Sequence, residues 1–133
     1  YGDFSANTLQ VNGTLEFTAA YATSDRRWKK DLLPVVDALA GLRQLEGKSY
    51  SWRRDEFPDQ GFPEGRQFGL VAQEVEKIFP ELVRTDASGF KSVAYTQVVP
   101  LLIEAVKEQQ DFLEKQNRTI ASLLRRIEAL EKK

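Results

Sequence analysis

Residues 96–133 read TQVVPLLIEAVKEQQDFLEKQNRTIASLLRRIEALEKK, and their spacing decides how the chain is put together. Counting in sevens gives Val99, Val106, Leu113, Ile120 and Ile127 at one seam position and Leu102, Gln109, Gln116, Leu123 and Leu130 at the other. All but Gln109 and Gln116 are apolar, a repeat that predicts one helix to the end of the chain with a coiled-coil face. Thr96 is the predicted N-cap, and Pro100 is tolerable in the first turn. At 1.5 Å per residue this helix is about 50 Å long and overhangs any core so short a chain can build, which favours association over a helix lying on its own domain. β-Branched residues at the first seam position with Leu at the second favour two strands. Ile103, Phe112 and Leu124 widen the stripe and call for more cover, so strand number stays open on these residues alone.

Upstream of the helix the pattern is mixed. Leu82-Val83-Arg84, the turn-like Asp86-Ala87-Ser88-Gly89 and Phe90 to Tyr95 predict a hairpin. Phe68 to Ala72 is a short apolar run, continued as a helix through Phe79 and stopped by Pro80. Pro58, Gly61, Pro63 and Gly65 mark residues 55–67 as an exposed loop. Lys48 to Arg54 alternates with Tyr50 and Trp52 on one side, as a strand does. Val35, Leu39, Leu42 and Leu45 recur at helical spacing, with Pro34 in a first turn and Gly47 as the stop. The expected class is therefore α+β: a small mixed domain followed by the long helix. Before it, Leu9, Val11, Leu15 and Phe17 alternate around Asn12-Gly13 and read as a short hairpin, a β-rich remnant that needs strands from upstream or from other chains. The opening at Tyr1 rather than Met leads to the expectation of a longer polypeptide.

The 133 residues allow one core, and 19 basic against 20 acidic side chains give a net charge of -1, so no overall field favours nucleic acid or an anionic membrane. No apolar run approaches the ~18 residues that span a bilayer, so no membrane partner is expected. With neither Cys nor His present, thiol nucleophiles, His-based triads and thiolate metal sites are excluded, and no metal or cofactor is expected. Any catalysis must use Ser, Lys, Asp, Glu, Tyr or the backbone.

Ser24-Asp25-Arg26-Arg27-Trp28-Lys29-Lys30 offers such chemistry, a hydroxyl with an amine as candidate base. Lysine amines titrate near ~10.4, so one acting as a base at neutral pH must titrate ~3 pH units lower, at a cost of ~4 kcal/mol. Burial beside Trp28 and the like charges of Arg26, Arg27 and Lys30 push that way. Geometry opposes it, because residues five apart in extended chain lie ~17 Å apart and on a helix share no face. Either the chain turns between them or the amine comes from another protomer. The plain alternative is that Ser24 caps a helix whose first turn is Asp25 to Lys30.

Taken in order, Ser-Asp-Arg-Arg-Trp-Lys at 24–29, the Tyr50 and Trp52 strand, Phe68-Gly69-Leu70-Val71-Ala72-Gln73-Glu74-Val75, Phe79-Pro80-Glu81-Leu82-Val83, Lys91-Ser92-Val93-Ala94-Tyr95 and Val99-Pro100-Leu101-Leu102-Ile103-Glu104-Ala105 resemble one family. It is the C-terminal intramolecular chaperone, or self-cleaving domain, of bacteriophage tailspikes and tail fibres, the endosialidase type, also found in myelin regulatory factor. The likeness covers residues 24 to about 110. It implies three segments: 1–23 as the end of an upstream β-rich fibre, 24–96 as the chaperone and autoprotease core, and 97–133 as a trimeric coiled coil.

The resemblance further implies a homotrimer that registers the upstream fibre of the same polypeptide and then frees itself by a single-turnover, serine-type cut between Thr23 and Ser24. By the same match Ser24 is the nucleophile, Lys29 its base, and Asp25, Gln73 and Glu74 have supporting roles. Assembly in the host bacterial cytoplasm, an upstream part in the virion tail and a released chaperone part follow from the likeness. A non-cleaving trimerisation tip retained on the fibre is the competing expectation. A cytosolic coiled-coil adaptor is disfavoured by the β-rich opening.

Overall fold

The computed structural model of the chain describes residues 9–11 and 13–133. Their helices are α1 (Ala38–Leu42), α2 (Ala72–Glu76) and α3 (Val98–Glu131), and their strands are β1 (Lys48–Tyr50), β2 (Gln67–Gly69), β3 (Val83–Thr85) and β4 (Lys91–Val93). The class is α+β, as the patterning requires. The chain divides into two units, Tyr1–Leu32 with Lys48–Gly69, and Leu33–Gly47 with Leu70–Lys133.

In the first unit β1 and β2 pair antiparallel, with Ser49 opposite Phe68. The predicted strand through Arg54 ends at Tyr50, because Trp52 leaves the ladder for aromatic partners. Its ring meets Tyr50 edge-on at 5.0 Å and stacks on Phe62 at 4.2 Å. The loop between the strands is exposed, as its Pro and Gly content predicts, and holds a 3-10 turn at Pro58–Gln60. Residues 9–11 and 13–23 form neither helix nor strand. The hairpin read around Asn12-Gly13 turns on Asn12, which lies outside the described residues.

The second unit carries the core: Ala38, Ala72, Val75, Leu82 and Ala105. The predicted hairpin is present, β3 and β4 pairing Val83 with Val93 and Thr85 with Lys91. Asp86 builds its turn by accepting from the backbone N–H of Ser88 at 2.8 Å and of Phe90 at 2.9 Å, and Gly89 supplies φ +87. Lys91 ties this hairpin to α2 by donating to Glu76 at 2.8 Å.

α1 is shorter than its apolar spacing predicts. Pro34 disfavours helix at the residue before it, and Asp37 sits at φ 55, so regular helix begins at Ala38. Asp37 makes no side-chain cap; the cap comes from α3, where Glu108 accepts from the N–H of Ala38 at 3.0 Å and of Leu39 at 2.9 Å. Gly41 lets α1 approach closely, since an added Cβ would run into the Phe79 ring.

α3 starts later than predicted. A 3-10 turn at Tyr95–Gln97 leads into it, and Gln97, not Thr96, holds the cap position without a side-chain hydrogen bond. Val98, Leu101, Ala105 and Glu108 recur on one side of α3 and are buried or half-buried, the side from which Glu108 reaches α1. The heptad seam is left bare, from Leu113 at 46% exposed to Leu130 at 66%.

Candidate functional site

The geometric objection to Ser24 and Lys29 is resolved by a local turn. Ser24 and Asp25 lead into a 3-10 turn at Arg26–Trp28, closed by Trp28 N–H to the Asp25 carbonyl at 3.2 Å and Lys29 N–H to the Arg26 carbonyl at 3.0 Å. Asp25 caps it from extended backbone (φ -64, ψ 134), and Lys29 returns to extended backbone (φ -111, ψ 139). The chain thus doubles back within five residues. Lys29 Nζ donates to Ser24 Oγ at 2.7 Å within one chain.

Ser24 is therefore not the cap that the plain reading makes it. Asp25 takes that place, accepting from the Arg27 N–H at 2.8 Å, which leaves the Ser24 hydroxyl free to engage the amine. A hydroxyl at hydrogen-bond distance from an amine is the arrangement that general-base activation of serine requires. At the same distance a neutral amine accepts the hydroxyl proton that a charged one cannot.

Asp25 and Arg27 shape the electrostatics. Arg27's side-chain hydrogen bonds, then its backbone N–H, hold the Asp25 carboxyl below its ordinary value of 3.8. The same contact raises Arg27. Both members of the Ser24–Lys29 pair lie exposed in the single chain, and the neighbouring Trp28 is 72% exposed.

Of the predicted supporting residues, Asp25 is part of this turn. Gln73 is exposed and Glu74 half-buried on α2, within the second unit, so a supporting role for them rests on the resemblance. Among the described residues no group of three or more His, Cys, Asp or Glu could hold a metal ion, and no helix is long and apolar enough to cross a membrane.

Sequence reasoning missed two contributors. The sequence offers Arg27 only as a like charge beside Lys29, although its place two residues after an Asp at a turn start was the available signal for the contact with Asp25. Glu108 lies 70 residues from Ala38, and nothing in the local sequence announces that it caps α1.

Comparison with known proteins bears on these residues directly. Over an alignment of 92 residues that covers 66% of the chain, the sequence is 37% identical to the long tail fiber protein Gp37 of Escherichia phage AR1, and the match spans 8% of that protein's length. Residues 24–84 match the family described as "Chaperone of endosialidase", whose name classes it among peptidases. The match begins at Ser24, the residue that the turn presents to Lys29. Over residues 24–84 the chain is thus similar to the chaperone-of-endosialidase family.

Proposed function

We propose that the chain is an intramolecular chaperone that trimerises and registers an upstream phage tail-fibre segment and then releases itself by cutting the Thr23–Ser24 bond. The observation that carries this reading is the 2.7 Å contact between Lys29 Nζ and Ser24 Oγ across the turn at Arg26–Trp28. The neutral Lys29 amine takes the proton of Ser24 Oγ, and the oxygen attacks the Thr23 carbonyl carbon. The Thr23–Ser24 amide breaks as its nitrogen takes the proton from Lys29, leaving an ester between Thr23 and Ser24 Oγ. Water then adds to the ester, giving a Thr23 carboxylate and a Ser24 that carries a free amine and its hydroxyl.

A lysine is an effective base once it is covered from water. In the single chain Ser24 and Lys29 are exposed, so cover must come from association, and cleavage waits for it. The bare seam of α3 supplies the means to associate. Exposed apolar stripes of this length mark a surface for partner chains. Interwoven fibre strands pair across chains at a large closure entropy, and a coiled coil that registers the copies first lowers it. Cutting afterwards removes the part that kept assembly reversible and leaves a fibre held by its unfolding barrier. By its likeness to a tail fibre protein, the upstream part belongs in the virion tail.

The test is expression with upstream strands, followed by product mass over time. Wild type splits before Ser24, whereas Ser24→Ala and Lys29→Ala remain whole. Splitting of Ser24→Ala or Lys29→Ala at the wild-type rate overturns the pair.

A further inference from the structure

One carboxylate holds the turn between Ser24 and Lys29 in three ways. Asp25 Oδ1 accepts from the Arg27 backbone N–H at 2.8 Å and from Arg27 Nε at 3.1 Å, while Oδ2 accepts from an Arg27 Nη at 2.8 Å. The first bond caps the turn; the other two form a planar fork, the geometry in which arginine grips a carboxylate best. We infer that Asp25 and Arg27 are positioning residues, a clasp that closes the turn and holds the Lys29 amine against the Ser24 hydroxyl. This inference rests on the reading of Ser24 and Lys29 as the cleavage pair.

The turn needs such help. Its three residues have two backbone hydrogen bonds of their own, and a helical piece that short is not stable by itself. If it opens, Ser24 and Lys29 can separate toward the ~17 Å that five extended residues span. A clasp within residues 25–27 holds the backbone that connects Ser24 to Lys29, yet touches neither reacting atom. Lysine at position 27 would keep the charge and lose the fork.

Two variants separate the cap from the fork. Asp25→Asn keeps a side-chain oxygen for the Arg27 N–H but turns an NH2 group toward the guanidinium. Arg27→Met keeps its own backbone N–H and loses the fork. The experiment is the first-order rate of cleavage of the associated full chain, with circular dichroism and oligomeric state measured on each variant. For an exposed ion pair the expected slowing is about twofold to fivefold for Asp25→Asn and for Arg27→Met. The double variant is expected to be no slower than either single one, since both remove the same fork. Arg27→Lys should be slowed like Arg27→Met. Asp25→Ala, which also loses the cap, should be slowed about tenfold.

Cleavage of Asp25→Asn and Arg27→Met at the wild-type rate overturns the inference, as does a double variant whose slowing is the product of the two single effects. Ser24→Ala distinguishes the two levels. If it still splits, the pair itself is misassigned; if it stays whole while the clasp variants run at full rate, the clasp alone is wrong.

Discussion

Glu108→Ala should unseat α1. The five residues of α1 cannot persist on propensity, since even good helix formers need ~12–15 residues to be marginally stable in water. Asp37, at φ 55, gives the helix no side-chain cap, and the first two N–H groups of α1 are satisfied by Glu108 alone at 3.0 and 2.9 Å. Hydrogen bonds to a charged acceptor contribute about 1.5–3 kcal/mol each, and the half-buried setting discounts the pair to about 2–4 kcal/mol in total. Glu108→Gln should lose roughly half of that, because its amide keeps one acceptor oxygen and sets an NH2 group against the other N–H. Denaturant unfolding at fixed protein concentration reads the loss, with amide exchange at Ala38 and Leu39 reporting it locally. A change below about 0.5 kcal/mol for Glu108→Ala, typical of an inconsequential surface substitution, would refute the capping argument.

Further outcomes follow from the same geometry. Gly41→Ala should cost about 1–3 kcal/mol by denaturant unfolding, because the new methyl must displace the Phe79 ring. The Asp25 carboxyl, its folded value depressed by Arg27, should titrate below 3.8 by NMR. Its contribution to the turn is then fully present above 3.8 and is lost as pH falls through the depressed value, and Arg27→Met should bring the midpoint back toward 3.8. Ile120→Asp, at an exposed seam position, should shift the chain to monomer in analytical ultracentrifugation while leaving the β3–β4 hairpin signals in place.

Periodic elements were legible in the sequence because their signals are local. The seven-residue repeat announces α3, and Asp86 to Gly89 announces the β3–β4 turn through side chains that bond their own backbone. Boundaries set by distant partners were not. α1 was read as longer, from apolar spacing, and its start at Ala38 depends on Asp37's backbone and on Glu108 from another helix. Trp52 was assigned to a strand by alternation, yet its stacking on Phe62 draws it out of the ladder. At the site, the residue types were readable and the approach of Lys29 to Ser24 was not, because a 3-10 turn of three residues has no period to detect. The ordered motifs from Ser24 to Ala105 carry the family reading, and the family match covers residues 24–84 of that stretch.

The central claim is most directly tested by intact-mass measurement and N-terminal sequencing of the purified wild-type chain carrying its upstream strands. The account predicts a product that begins at Ser24 and retains α3, accompanied by an upstream piece ending at Thr23. A population that stays intact in its associated state, with the Thr23–Ser24 bond unbroken, would contradict it.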